Sequence, residues 1–349
     1  MKTKISLLAL ATALSMGSAF AADLPSRKAE PFVPPPPPPA WTGFYAGLNV
    51  GYAFGTSDNI TNTGYGVYDL LANHGGNAGP ITTFGGTALA NTANSSVNQS
   101  GIVGGGQIGY NYQFYQNFVA GIEADIDGAG IRGNGGYSGA SATSSLFRSH
   151  KWSTCRVGEG ACAGVANRFY DRTAVGGGTI SANTDYIGTV RGRLGWLATP
   201  TLLLFGTGGL AYGGVSASSS DALNVSNSWI RSGNWSYNSL SGSWNRANSA
   251  LLSTTAATGN YSDTLVGWTV GGGVEWMFMP GWSAKLEALY YDLGSVNFNS
   301  GPLAVYNSNG RLLAINVVNH SVNFDGVIAR AGVNYHFNWF APVAVLAKY

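Results

Sequence analysis

The chain contains eight short segments in which large apolar residues alternate with small or polar ones, each about long enough to cross a bilayer as a strand. In the clearest, Phe44 to Phe54, one set of alternate residues reads Phe, Ala, Leu, Val, Tyr, Phe and the other reads Tyr, Gly, Asn, Gly, Ala. Only a β-strand presents alternate residues as two distinct faces. The eight predicted strands are roughly 43–54, 101–112, 118–127, 186–197, 201–215, 264–278, 282–292 and 326–337.

The connections between these strands alternate between very short and very long. Ala198-Thr199-Pro200 and Met279-Pro280-Gly281 are tight turns, whereas the long connections run about 33 to 58 residues and are rich in Asn, Ser, Thr and Gly. Structureless loops of that length count against a soluble domain. Short periplasmic turns and long external loops are the rule in outer-membrane barrels. The sequence therefore predicts an all-β fold, an eight-stranded antiparallel transmembrane β-barrel with short periplasmic turns and long extracellular loops.

The N-terminus predicts export from the cytoplasm. Residues 1–21 read as a signal peptide, with an apolar core and a small-x-small cleavage site between Ala21 and Ala22. Residues 22–40 form a proline-rich linker, and residues 41–349 hold the barrel. Charged residues make up 10% of the chain, against a usual ~25%, and there is no apolar stretch long enough for a spanning helix. The net charge of +2 gives no indication of nucleic-acid binding.

Two features outside the strands carry separate expectations. The run Pro34 to Pro39 favours polyproline II and predicts a periplasmic spacer, with docking to the cell wall or another periplasmic partner as the alternative. Cys155 and Cys162 lie close together in a polar loop, and in an oxidising compartment they are expected to form a disulfide. A metal site there would have only His150 for support, so none is predicted.

The alternation places the charged residues of the strands inside the barrel. A charge facing lipid at mid-bilayer would cost about 2–4 kcal/mol. Counted from the turns, Glu123 and Arg191 lie at nearly the same depth on consecutive strands. An eight-stranded barrel is only wide enough for its side chains to fill it. We expect a salt-bridged plug rather than an ion path, formed by Glu123, Asp125, Arg191, Arg193, Glu275, Lys285, Glu287 and Arg330.

Aromatic residues gather at both ends of the strands, as expected at the two membrane interfaces. Trp41 and Trp282 belong to the turn side, and Tyr212 and Tyr290 to the long-loop side.

The chain resembles the small alphaproteobacterial outer-membrane β-barrels known as porin-family or outer-membrane immunogenic proteins. The motifs that carry the resemblance include Trp41-Thr42-Gly43-Phe44-Tyr45, Gly121-Ile122-Glu123-Ala124-Asp125, Gly188-Thr189-Val190-Arg191-Gly192-Arg193-Leu194-Gly195, Gly267-Trp268-Thr269-Val270-Gly271-Gly272-Gly273-Val274-Glu275 and Arg330-Ala331-Gly332-Val333-Asn334-Tyr335. The resemblance implies an abundant integral protein of the Gram-negative outer membrane, with roles in envelope integrity and surface antigenicity and, in some members, haem binding or pore activity.

The C-terminus departs from that resemblance. Many such barrels end on an aromatic signal for the barrel-assembly machinery, yet here Phe337 is followed by residues 338–349. Either Tyr349 closes a short terminal segment or the signal is the internal pair Tyr335 and Phe337.

Several functions remain open at this point. A structural barrel whose loops meet the environment or host is the main prediction, with outer-membrane lipids, lipopolysaccharide and the assembly machinery as partners and no cofactor. A narrow porin is one alternative. A haem receptor is another, with His74, His150 and His320 in loops as candidate ligands. No catalytic residue is predicted, because no Ser–His–acid arrangement is evident around His336.

Overall fold

A computed structural model of the chain describes residues 41–57, 59–69, 87–115, 117–147, 151–152, 163–237, 240–306, 310 and 312–337. The chain divides into two compact units, Met1–Pro38 and Pro39–Tyr349, and the first lies outside the described residues. None of the helices in the described part is long and apolar enough to cross a membrane.

The described strands are β1 (Gly43–Gly55), β2 (Asn59–Asp69), β3 (Ala93–Ser96), β4 (Ser100–Phe114), β5 (Phe118–Phe147), β6 (Lys151–Trp152), β7 (Ala163–Thr199), β8 (Leu202–Tyr237), β9 (Leu240–Met279), β10 (Trp282–Asn299), β11 (Leu303–Tyr306) and β12 (Leu312–Phe337). Eight of them form a closed antiparallel ring in the order β1, β4, β5, β7, β8, β9, β10, β12, and β12 pairs back with β1. Closure leaves this part of the sheet without an edge, which a strand structure in lipid requires. The prediction of an eight-stranded barrel is confirmed.

The lower part of the ring carries the predicted apolar band on its outside. In β1, Leu48 is 73% exposed whereas its neighbour Asn49 faces the interior and is 7% exposed. The outward residues from Phe44 to Phe54 span about 25 Å of height at roughly 3.3 Å per residue and a tilt of about 40°. This height matches the hydrocarbon layer that an outer-membrane barrel crosses.

The alternation inverts above this band. On β8 the outward residues change from Leu210 and Tyr212 to Ser216 and Ser218. The inward residues above this change begin with Val215 and are mostly apolar. On three strands a register shift lies near the change, between Gly128 and Ile131, Thr184 and Tyr186, and Asp292 and Ser295. Water replaces lipid outside the barrel here, so polar residues turn outward and apolar residues turn inward.

Above the band the ring separates into two facing sheets. The tall sheet contains β5, β7, β8 and β9 beyond the band, and the short sheet contains β2, β3, β11 and the upper parts of β10 and β12. In the described residues, β9 pairs with β10 only up to Trp268 and Asp292. An apolar core fills the space between the sheets, with Ile131, Ile180, Leu223, Val225, Ile60, Val318, Val322 and Phe324 among its members.

The prediction of long structureless loops is wrong for the described parts of these connections. The predicted fifth strand ended at residue 215, yet β8 continues to Tyr237, and β9 begins at Leu240 rather than at residue 264. The outer surface of these extensions is made of Ser, Thr, Asn and Gly, which is also the composition of loops. The sequence still indicates strands in these extensions, because apolar residues continue to alternate with polar ones. Here the apolar residues face inward, between the two sheets, instead of outward.

Candidate functional site

The interior of the barrel at mid-membrane depth is filled by ionic side chains centred on Arg191. Its guanidinium group contacts Glu123 Oε1 at 2.5 Å, Asp125 Oδ2 at 2.8 Å and Glu287 Oε1 at 2.6 Å. The side chain is entirely shielded from solvent. Glu123 and Arg191 are direct partners across β5 and β7, which is why they lie at one depth.

Arg330 reaches the same carboxylates from β12 on another side of the ring. Its guanidinium group contacts Asp125 Oδ2 at 2.8 Å, Asp127 Oδ2 at 2.7 Å and Glu287 Oε2 at 2.9 Å. Its inward neighbour on β1 is Gly51, where a Cβ atom would lie 2.6 Å from the Cβ of Arg330. A residue without a side chain at this position leaves room for the arginine.

Lys285 and Arg193 complete the network. Lys285 Nζ donates to Glu123 Oε1 at 2.9 Å and lies 3.4 Å from Glu287 Oε2. Arg193 pairs with Glu275 and packs on the ring of Phe205, with 3.9 Å between the guanidinium carbon and the ring centroid. All eight residues of the predicted charge network therefore meet in one cluster.

Sequence reasoning placed Asp127 inside the barrel but left it out of this network. With it, five carboxylates face the four cations Arg191, Arg193, Lys285 and Arg330. Tyr45 was also missed, and its hydroxyl donates to Glu123 Oε2 at 2.6 Å. Buried ions destabilise a protein unless each is paired and hydrogen-bonded. The density of pairing here is what makes an ionic interior compatible with a folded barrel.

His336 has polar neighbours that the sequence did not indicate. A serine, a histidine and an acid do meet here, because Ser283 Oγ lies 2.9 Å from His336 Nε2 and donates to Glu275 Oε1 at 2.5 Å. The same histidine nitrogen lies 3.4 Å from Glu275 Oε1. In a catalytic triad the acid binds the ring nitrogen opposite to the serine. The three side chains are buried, and their geometry is that of a packed polar cluster.

Apolar layers lie below and above the ionic layer. At the turn end Trp41, Val119, Leu197, Leu203, Phe205 and Met277 pack together inside the barrel. The expected place of Trp41 in the lipid-facing aromatic girdle is therefore wrong. Its side chain is 0% exposed, and its indole N–H donates to the carbonyl oxygen of Pro200 at 3.1 Å. The girdle partner Trp282 does face outward.

A second polar cluster lies higher, between the tall sheet and the short sheet. Tyr137 donates to Asp221 Oδ1 at 2.5 Å, and His320 Nε2 lies 3.0 Å from Asp221 Oδ2. His320 Nδ1 lies 2.8 Å from Asn62 Oδ1. Asn91, at the end of a 3₁₀ helix (Ala88–Asn91), donates to the Tyr137 hydroxyl at 3.3 Å. This upper polar cluster ties both sheets and the 3₁₀ helix together, and burial raises the pKa of Tyr137.

The upper polar cluster also corrects the expectation for the histidines. His320 lies in β12 rather than in a loop, and its side chain is 0% exposed. A signal for this position was present in the alternation of Val318, His320, Val322 and Phe324 with polar residues. Within the described residues no group of three or more His, Cys, Asp or Glu side chains could hold a metal ion. His74 and His150 lie outside the described residues.

Other predictions also fall outside the described part of the chain. These are the signal peptide with its Ala21–Ala22 cleavage site, the linker of residues 22–40, the Cys155–Cys162 disulfide and residues 338–349.

The sequence is similar to outer-membrane proteins of Brucella. The chain is 29% identical to the 31 kDa outer-membrane immunogenic protein of Brucella melitensis biotype 1 over 333 residues, which covers 95% of this chain and 98% of that protein. The protein of the same name from Brucella suis biovar 1 matches equally. No family model matches the chain.

Solved structures give weaker likenesses. The outer membrane protein OprG of Pseudomonas aeruginosa aligns over 86% of this chain and 99% of its own, with a TM-score of 0.30 and 9% identity. Neisserial surface protein A aligns over 85% of this chain and 98% of its own, with a TM-score of 0.21 and 9% identity. At these scores the fold assignment depends on the strand pairing described above.

The closed ring has an apolar outside and an ionic inside, and the similarity to the Brucella protein runs along nearly the whole chain. The chain is an integral, surface-exposed β-barrel of the outer membrane, similar in sequence to the 31 kDa outer-membrane immunogenic proteins of Brucella.

Proposed function

We propose that the protein is a structural, non-conducting and non-enzymatic barrel that supports the cell envelope and holds a folded β-sandwich at the cell surface. The observation that carries this proposal is the filling of the lumen in three successive layers. An apolar layer at the turn end contains Trp41 and Leu203. The ionic layer around Arg191 follows, and then comes the apolar core between the sheets.

Each layer opposes conduction for its own reason. Ions crossing the middle layer would have to displace pairs such as Arg191–Glu287, whose side chains are fully shielded from solvent. Ions crossing the upper layer would have to leave water for surroundings lined by Leu223, Val318 and Phe324. Moving an unpaired ion into an apolar environment is strongly unfavourable.

Single-channel recording in a planar bilayer tests the closed lumen. We expect no stable stepwise currents from the purified full-length protein, with a known general porin as the positive control. Stable, stepwise conductance that disappears on heat denaturation would overturn the proposal in favour of a narrow porin.

The envelope role has its own test in cells. A deletion strain is expected to become more sensitive to detergents and large antibiotics, and expression of the intact gene is expected to restore resistance. Unchanged sensitivity in the deletion strain would contradict this part of the proposal.

The partners follow from the same proposal. The apolar band would contact membrane lipids, and folding into the membrane would use the barrel-assembly machinery. The run Pro34 to Pro39 would serve as a periplasmic spacer that can contact the cell wall. The haem-receptor alternative loses one of its candidate loop ligands, because His320 is fully buried.

A further inference from the structure

The outer face of the tall sheet contains a groove of about 690 Å³. Four strands contribute to it, and its polar lining includes Asn134, Thr179, Ser218, Ser220, Thr258 and Asn260. These side chains point away from the barrel axis, opposite in direction to neighbours such as Ile180. Ser218 lies at the centre, between its strand partners Ser181 on β7 and Asn260 on β9.

The groove lies just outside the membrane. Ser218 is six residues beyond Tyr212, the last aromatic residue of the apolar band on β8. At roughly 3.3 Å per residue this places the groove about 20 Å along the strand from that aromatic residue. The outward face of the tall sheet continues the lipid-facing wall directly, so the layer beside it is the saccharide layer of the outer leaflet.

The chemistry of the lining selects a class of ligand. Arg132 and Asp185 are the charged side chains described on this outward face, and both lie on the membrane side of the groove, with Arg132 the next outward residue before Asn134 on β5. At the groove and above it the described outward residues are Ser, Thr, Asn, Ala, Val and Gly. Hydroxyl and amide groups both donate and accept hydrogen bonds, as sugar hydroxyls do. Phosphate recognition would favour arginine or lysine, and a protein partner would favour aromatic residues.

We propose that this groove binds neutral sugars of the oligosaccharide carried by the glycolipid of the outer leaflet. The glycolipid is held beside the groove by its own membrane anchor, so its effective concentration there is high. A shallow, uncharged groove with weak affinity for free sugar is sufficient under that condition. The inference depends on the membrane position of the barrel and is independent of whether its lumen conducts.

The test uses the full-length protein in nanodiscs that contain either lipopolysaccharide with a complete core oligosaccharide or lipid A alone. We expect a higher thermal unfolding midpoint with the complete core than with lipid A. We also expect saturation transfer by NMR from the protein in detergent to the free core oligosaccharide.

Variants that fill the groove provide the decisive comparison. Ser218→Tyr is expected to remove most of the midpoint difference and the saturation transfer. Ser321→Tyr, which lies six residues beyond Val327 on the outward face of the short sheet, is the matched control and is expected to retain both. Thr258→Tyr fills the same groove from β9 and serves if Ser218→Tyr fails to show the heat-modifiable gel migration of a folded barrel.

The possible results separate the two proposals. Equal midpoints with complete core and lipid A would overturn the sugar-binding proposal, because the phosphorylated headgroup would then account for the whole effect. Retention of both signals by the groove-filling variants would overturn it as well. Channel currents would contradict only the closed lumen.

Discussion

At the scale of single residues, removal of the Arg191 side chain should be strongly destabilising, since this side chain contacts three carboxylates away from water. Arg191→Met leaves these anions short of one partner. We expect the free energy of unfolding to fall by about 3–5 kcal/mol, the usual loss when one member of a buried ion pair is removed. Urea unfolding of the barrel in lipid vesicles measures this change.

The control for Arg191 is another arginine of the same barrel. Arg132 is exposed on the outer face of β5, and Arg132→Met is expected to change stability by less than about 1 kcal/mol. The double variant Arg191→Met with Glu123→Gln is expected to be less destabilised than the sum of its single variants, because it removes both a cation and a carboxylate. Equal effects of the two arginine variants would contradict a central role for Arg191.

The upper polar cluster gives a prediction about pH. Burial raises the pKa of Tyr137, so the folded protein keeps the phenol proton at a pH where the unfolded chain releases it. This stabilisation is present below the ordinary tyrosine pKa of about 10 and is lost as the pH rises above that value. Between about pH 8 and pH 11 the wild type should lose more stability than Tyr137→Phe, as measured by chemical unfolding.

The wild type and Tyr137→Phe share all other tyrosines, so the difference between their pH dependences reports on the phenol of Tyr137 alone. A variant that loses as much stability as the wild type over this range would show that Tyr137 does not contribute.

At the scale of elements, the extensions of β7, β8 and β9 above the membrane are expected to behave as folded strands. Amide protons of residues 216–225 in β8 have strand partners on both sides and should exchange slowly with solvent deuterium. Ser57, between β1 and β2, should exchange fast and provides the reference. Mass spectrometry after exchange measures both, and equally fast exchange would restore the loop interpretation.

The sequence was sufficient to predict the strands inside the membrane and insufficient above it, for a physical reason. Val190 and Arg191 are adjacent yet lie on opposite faces, because lipid on one side and a narrow lumen on the other impose a strong contrast. Above the band Ser218 faces water and Leu223 faces the core, so the pattern persists with the opposite orientation. The apolar outward face by which a membrane strand is recognised therefore stops where the polarity of the two faces is exchanged, although the strand itself continues.

The ionic layer of the candidate site could be predicted from the sequence, whereas the upper polar cluster could not. The depth of Glu123 and Arg191 could be counted from the turns that precede and follow them, since β5 begins and β7 ends at the turn end of the barrel. The contact between His320 and Asp221 joins residues 99 positions apart on strands that are not paired with each other. It depends on how the two sheets face each other, which alternation along single strands does not determine.

At the scale of the whole molecule, the ionic layer in the membrane and the apolar core outside it are separate sources of stability. Leu223→Ala removes a fully buried side chain from the apolar core and is expected to cost about 2–5 kcal/mol. The loss should appear in unfolding of the extracellular sheets, followed by tryptophan fluorescence and urea. Heat-modifiable migration of the barrel should be unchanged, and its loss would show that the two layers fold as one.

The unequal heights of the two sheets determine what approaching molecules touch first. β8 ends at Tyr237, which is roughly 80 Å of strand beyond Tyr212, whereas β12 of the short sheet begins at Leu312, roughly 50 Å of strand beyond Val327. An antibody moving through a sugar-coated surface would therefore meet the β8–β9 tip long before the ionic interior. Immune pressure on such a cell would fall on that tip, and exchange of residues there would leave the lipid-embedded walls unaltered.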